Sequence, residues 1–206
     1  MSGIVRPSQK SSGGTGSYLG FKELGVVRFE DKSSNFDWAD VYISVEMKVE
    51  GSQYPRKLFV SGSHEKDDSG NIIDSSLLKR IYYLFDAIGF EGGINLKGQF
   101  VDDKEVVIPN IADYLNDNFA PNPIEDPKML LIGYLYKEAP RKGGDGKLYT
   151  RIHNYLQPNT AKGLEQLKDR IQFLKSKNFI KEASEDTMNG VLSANVEIEG
   201  IVTEQL

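Results

Sequence analysis

Between Lys137 and Pro158 the chain reads KEAPRKGGDGKLYTRIHNYLQP, and Tyr149, Arg151, His153 and Tyr155 stand two residues apart within it. In an extended strand, alternate side chains share a face, so these four make a surface of ring and cation in turn. Leu148, Thr150, Ile152, Asn154 and Leu156 make the opposite face, an apolar one apart from Asn154. Flat rings offer stacking partners to unpaired bases at about 1 to 3 kcal/mol per base, whatever the base. Interleaved cations neutralise the phosphates between stacked bases. The pattern therefore points to binding of a single strand rather than to bond chemistry.

Other residues extend this surface. Lys137, Arg141, Lys142 and Lys147 supply cations at the start and tip of the hairpin, whose turn is read as Arg141 to Gly146, and Tyr134 and Tyr136 alternate on the partner strand. A second group lies in the first hairpin, where Trp38, Tyr42 and Lys48 share the less aliphatic face of one strand and Arg56, Lys57 and Phe59 lie on the strand opposite. Charge is distributed unevenly over a chain whose net charge is -5. Residues 102–126 hold seven acids against the single Lys104, whereas residues 137–151 hold five cations against two acids. That polarity favours an anionic partner for one surface.

Catalytic readings are weaker. The chain has no cysteine and two histidines, which removes thiolate nucleophiles, disulfides and cysteine-based zinc sites. His64 stands beside Ser63 in GSHEKDD, but the G-x-S-x-G elbow of a serine hydrolase is missing. The DDSGN run lacks the spacing and terminal Glu of a calcium loop, and His153 has no second histidine at helical spacing. SSGGTG near the N-terminus lacks the Gly-Lys-Ser/Thr ending of a phosphate loop. Asp37, Asp40, Asp102, Asp103 and Asp113 supply carboxylates that a magnesium-dependent nuclease could use, though Asp102 and Asp103 read as an acidic turn. No cofactor or metal is expected, and the chain is read as a non-enzyme.

The elements that must position these residues follow from periodicity. Residues 1–17, polar and Gly/Ser-rich, read as a flexible arm. Strands are expected at Gly25–Phe29, Trp38–Val49 and Pro55–Gly62, the last two joined by a turn at Glu50-Gly51-Ser52. Asp74 or Ser75 can cap a helix over 76–88 whose Leu77, Leu78, Ile81, Leu84, Phe85 and Ile88 form a stripe, with Gly89 as its stop. INLKGQF and KEVVIP read as short strands, NIADYLNDNF as a short helix, and the proline-rich stretch after it as a linker. The late hairpin pairs MLLIGYLYKE with KLYTRIHNYLQ. Asn159 or Thr160 then caps a helix over 161–177 with a Leu164, Leu167, Ile171, Leu174 stripe, and NVEIEGIVTE alternates as a strand.

The sum is a mainly β (α+β) fold. An OB-like five-stranded antiparallel barrel with an inserted helix and a C-terminal helix fits the order of elements. Residues 18–157 would be the binding domain, and 158–206 an extension packed on it.

A strand pair, an inserted helix, the glycine-containing LKGQF and the hairpin GYLYKEAPRKGGDGKLYTRIHNYLQP together resemble the phage-type single-stranded DNA-binding proteins with an OB fold. The resemblance covers about residues 18–157. It implies a DNA replication or recombination accessory protein that coats single-stranded DNA and works beside other replication or recombination proteins. Tyr134, Tyr136, Tyr149, Arg151, His153 and Tyr155 would then line the groove, and Trp38, Tyr42 and Phe59 would stack bases. Such proteins often end in a strongly acidic tail. NVEIEGIVTEQL carries only Glu197, Glu199 and Glu204, so recruitment through a tail is not implied. A structural or protein-interaction role in a virion or its assembly is the alternative. The N-terminus shows no signal-peptide core and no window reaches the length of a membrane helix, so no membrane partner and a cytoplasmic location (of the host cell, if phage-encoded) are expected.

Overall fold

A computed structural model describes residues 19–120, 127–139 and 148–183. The arm at 1–17, the proposed C-terminal strand, and Arg141, Lys142 and Lys147 lie outside the described residues.

The main sheet is antiparallel. Its long strands are β1 (Gly20–Asp31), β2 (Val41–Val49), β3 (Arg56–Gly62), β6 (Leu131–Glu138) and β7 (Tyr149–Ile152), in the order β3-β2-β1-β6-β7. A two-residue strand β8 (Gln157–Pro158) pairs with the start of β6. The small hairpin β4 (Gly93–Ile94) and β5 (Phe100–Val101) forms a separate sheet. Helix α1 (Ser76–Ile88) lies between β3 and β4, α2 (Ile111–Phe119) between β5 and β6, and α3 (Ala161–Ser176) follows β8. The fold is thus mixed α/β around a mostly antiparallel sheet. Its outer strands β3 and β7 come within 8 Å at Cα level, but no ladder joins them among the described residues.

β1 organises this sheet by serving two ladders in succession. Its first half, Gly20 to Leu24, pairs with β6. Its second half, Leu24 to Asp31, pairs with β2, with a bulge between Val26 and Arg28. Beyond Leu24 the edge turned from β2 has no strand partner among the described residues, and buried backbone groups need other partners. Asn116 of α2 supplies them at Phe29: its Oδ1 accepts from the Phe29 N–H and its Nδ2 donates to the Phe29 carbonyl, each at 2.8 Å. A side-chain amide thereby stands in for a missing strand.

The core lies on the inner face of this sheet. Val41, Ile43, Val45, Met47 and Val49 of β2 are all buried there with Leu58 and Val60 of β3, and α1 covers them with Leu77, Ile81, Leu84 and Phe85. The alternation written into β2 is the cause, since a period of two puts every aliphatic residue on one face. α1 begins where Ser75 Oγ accepts from the Leu78 N–H and ends at Gly89, whose φ of 77° is cheap only for glycine. α2 is capped by Asn110 and α3 by Thr160.

A second cluster sits on the other face of β6. Ile132 and Tyr134 pack there against Leu167, Ile171 and Leu174 of α3, with Ile180. The apolar stripe of α3 needed a partner surface, and β6 provides it. β6 is therefore covered on both faces, which explains why LIGYLY reads as a nearly unbroken apolar and aromatic run. A Cβ on Gly133 would stand 2.6 Å from Leu24 Cδ1 and 3.0 Å from Leu156 Cδ2, so a larger residue there would have to displace these core side chains.

Several expected elements differ in extent. The first strand runs from Gly20 rather than Gly25, because β6 pairs its early residues. INLKGQF is not a strand but the turn of the β4–β5 hairpin, where Asn95 Oδ1 accepts from the N–H groups of Lys97 and Gln99. KEVVIP makes only an isolated bridge, Val101 to Val107. The strand expected over 148–156 stops at Ile152, bends through His153 to Leu156, and resumes as β8.

Candidate functional site

The bend after Ile152 and the arrival of α3 remove most of the late-hairpin surface from solvent. Tyr134 is 7% exposed. Its hydroxyl donates to Glu182 Oε1 at 2.5 Å and accepts from Lys175 Nζ at 2.6 Å, while Lys175 and Glu182 form an ion pair at 3.0 Å. Burial, followed by the bond to Glu182, raises the Tyr134 pKa. Tyr136 is half-buried and lies parallel to Tyr134, at 6.1 Å between centroids. Residues Lys181 to Ala183 run beside the end of β6, with Ala139 N–H donating to the Lys181 carbonyl and Ala183 N–H to that of Lys137. The expected stacking role of Tyr134 is therefore corrected to a structural one: its ring and hydroxyl hold α3 and the 181–183 strap to the sheet.

His153 and Tyr155 are also turned to packing. The His153 N–H donates to the Tyr134 carbonyl, and its Nδ1 accepts from the Tyr155 N–H at 3.1 Å. Burial first, and then the charge of Arg170, lowers the His153 pKa to about 4. Tyr155 meets the Tyr83 ring edge-on at 4.9 Å. Arg151 is spoken for by Glu138, Nε to Oε2 at 2.7 Å, and lies over the Tyr149 ring. Lys137 points to the Leu135 side of β6, away from Tyr136. Of the six groove residues, Tyr149 alone is well exposed, at 47%. The alternation expected over 149–155 does not form one open platform.

An open aromatic surface exists elsewhere, on the outer face of β2 and β3. Phe36 stacks on Tyr42 at 4.3 Å and 25°. Trp38 meets Tyr42 edge-on at 6.0 Å, and Phe59 does so from β3 at 5.8 Å. Trp38 is 58% and Phe59 37% exposed. Trp38 is not on β2 as its alternation suggested; it lies in the connection between β1 and β2. Phe36, beside it in FDW, was not among the candidate residues. Its signal was present in that aromatic pair two residues apart, but a loop has no fixed period by which to assign a face.

Hydrogen bonds fix this connection. Asp31 Oδ1 accepts from the Ser33 N–H and hydroxyl, and Ser33 Oγ accepts in turn from the Tyr42 N–H at 2.8 Å. Lys32 N–H donates to the Tyr42 carbonyl. At the far end, the Ser63 hydroxyl donates to the Trp38 carbonyl at 2.6 Å, and the His64 N–H donates to Asp40 Oδ2. The rings are thus presented by a clamped backbone, which lowers the ordering cost of any ligand.

Charge surrounds the rings. Glu30 of β1 accepts ion pairs from Lys32 at 2.8 Å, Arg28 at 3.2 Å and Lys57 at 3.7 Å, and Arg28 also reaches Glu46 at 2.9 Å. The hydrogen bond from Lys32, partly opposed by desolvation, lowers the Glu30 pKa. Lys48 shares this face of β2. Arg56 does not belong to it: it sits opposite the buried Met47, on the core side of β3. Arg28, Lys32 and Lys57 are thus gathered with Glu30 and Glu46 on the side of the sheet that carries the rings, and Lys48 lies further along β2.

Several of the carboxylates weighed for chemistry accept local hydrogen bonds, Asp40 from the His64 N–H and Asp113 from Asn110 Nδ2. Asp102 Oδ1 caps its own turn by accepting from the Lys104 and Val106 N–H groups, and Asp67 does the same for Ser69 and Asn71. The Ser63 hydroxyl is bonded to the Trp38 carbonyl, not to His64. Among the described residues no three of His, Asp and Glu come together to hold a metal ion, and no helix is long and apolar enough to cross a membrane. Comparison of the chain with protein-family models, curated proteins and solved structures gives no significant match.

Proposed function

We propose that the protein binds single strands of nucleic acid without sequence preference, DNA being the expected partner, on the outer face of β2 and β3. The observation that carries this reading is the cluster of Phe36, Trp38, Tyr42 and Phe59 held open near Lys57 and Lys32, with Lys48 further along the same face of β2. Two exposed rings, Trp38 and Phe59, flank a central Tyr42, so successive bases could stack on either side while the lysines take the phosphates.

The finer architecture in this reading is an OB-type barrel. The order β3-β2-β1-β6-β7, the helix inserted after β3, and the close approach of β3 to β7 support it. In such barrels the face of the second and third strands and the loops after the first and fourth bind oligonucleotides. The ring cluster occupies that face and the first of those loops, and Arg141, Lys142 and Lys147 follow the fourth long strand in sequence. A role in replication or recombination, without catalysis, goes with this reading.

Trp38 is the only tryptophan, so its emission reports on the platform directly. Titration with oligothymidylates of increasing length is expected to quench it saturably and to give the site size. If Lys32, Lys48 and Lys57 each take one phosphate, log K falls with log salt at a slope of roughly -2. No quenching at any length would refute the reading.

A second reading, docking of a partner protein in an assembly, has one observation in its favour: three of the cations already pair with Glu30 or Glu46. Binding that ignores salt and prefers a protein ligand would favour it.

A further inference from the structure

We infer that Arg170, His153 and Tyr83 form a site for a phosphate-type oxyanion where α1, α3 and the segment 153–156 meet. Arg170 makes no ion pair with a carboxylate among the described residues, although Asp169 is its neighbour in sequence. Its guanidinium carbon lies 5.9 Å from the centroid of Tyr155 and 5.6 Å from that of Phe173. Aromatic rings over a guanidinium engage its π system and leave its N–H groups, which lie in its plane, for an acceptor. One of them reaches the Tyr83 hydroxyl at only 3.4 Å, a weak bond that leaves most of the donor capacity unused. Because the Tyr83 oxygen accepts there, its own O–H remains available to donate.

His153 completes the donor set. Its Nδ1 accepts from the Tyr155 N–H, which places the ring proton of the neutral imidazole on Nε2. No hydrogen bond occupies Nε2 among the described residues. Burial and the Arg170 charge keep the ring neutral, and no carboxylate offsets that charge at His153. Arg170 and Tyr83 are in contact, and His153 lies within the field of the Arg170 charge. In the proposed site the guanidinium, imidazole N–H and hydroxyl donate to one tetrahedral oxyanion. Half-buried surroundings strengthen such charge-assisted bonds.

The site shares no residue with the ring cluster of β2 and β3, so its failure would leave that reading standing. The test uses the full chain, labelled with nitrogen-15, and inorganic phosphate added at constant ionic strength against chloride. The Arg170 side-chain N–H and the His153 ring resonances are expected to shift saturably. Arg170→Gln should weaken binding by about tenfold or more, because it removes a charge-assisted donor. Lys168→Gln, on the exposed side of the same helix, should leave it unchanged. Arg170→Lys keeps the charge but not the planar fork, and it should also lose most of the affinity with the melting temperature retained. Displacement of phosphate by an oligothymidylate would assign the site to the phosphodiester of a bound strand, and phosphate binding without displacement would assign it to a free phosphate compound. Shifts that stay linear in phosphate, or equal losses in Arg170→Gln and Lys168→Gln, would overturn the proposal.

Discussion

The rings of Phe36 and Tyr42 lie 4.3 Å apart and inclined by only 25°, one from the loop after β1 and the other from β2. That stack makes Tyr42 a supported hub rather than a free ring, with Trp38 and Phe59 standing on either side of it. The outer rings should therefore contribute affinity with little cost to folding. Trp38→Ala and Phe59→Ala are each expected to weaken oligothymidylate binding by about 1 to 3 kcal/mol. Their melting temperatures should stay near that of the parent, because both side chains are largely or partly exposed. Phe36→Ala, by contrast, should lower both affinity and melting temperature.

Glu30 opposes a strand while it orders the cations. Its carboxylate holds Lys32, Arg28 and Lys57 together, and a phosphate must compete with it for them. Glu30→Gln is expected to tighten oligothymidylate binding severalfold and to steepen the salt slope by roughly 0.7 for each cation released. Thermal stability should change by less than about 1 kcal/mol, the usual range for exposed ion pairs. An unchanged slope would mean that these cations do not meet phosphate.

Tyr134 separates packing from binding. Tyr134→Phe keeps the ring under α3 and removes the hydroxyl between Lys175 and Glu182. Urea unfolding is expected to show a loss of about 1 kcal/mol, and the oligothymidylate affinity should not move. Loss of affinity at full stability would restore the late hairpin as the binding face.

His153 gives the fold a pH dependence. Its folded pKa of about 4 lies below the ordinary value of 6.5, so the unfolded chain takes up a proton first as the pH falls. The stability held by this group is complete above about pH 6.5 and declines toward pH 4, by up to roughly 3 kcal/mol. Unfolding free energies measured across that range in phosphate-free buffer should show the decline. His153→Asn, whose Oδ1 can still accept from the Tyr155 N–H, should flatten it.

Much of the fold was legible because it depends on short-range pattern. The period of two in β2, the stripe and Gly89 stop of α1, and the Thr160 cap of α3 each specify an element within its own residues. The basic and aromatic hairpin was legible as a pair of strands but not as a covered one. Whether Tyr134 faces solvent depends on where α3 lands, and α3 lies some thirty residues further on in sequence. An aromatic residue on the second face of a strand looks the same in sequence whether it meets a helix or a base. Trp38, Tyr42, Lys57 and Phe59 were named in the sequence, whereas Phe36 became visible only when the loop folded it over Tyr42. Arg56 failed for a simpler reason: one step along a strand changes the face.

Fluorescence anisotropy of a labelled oligothymidylate, titrated with the parent chain and with the Trp38→Ala/Phe59→Ala double variant at one low salt concentration, measures whether the β2–β3 rings hold a strand. The parent should bind saturably and the double variant should lose at least about thirtyfold in affinity, from two stacking contacts of about 1 kcal/mol or more each, with its far-ultraviolet spectrum unchanged. Equal affinity of the two chains would contradict a strand held there, as would no binding by the parent.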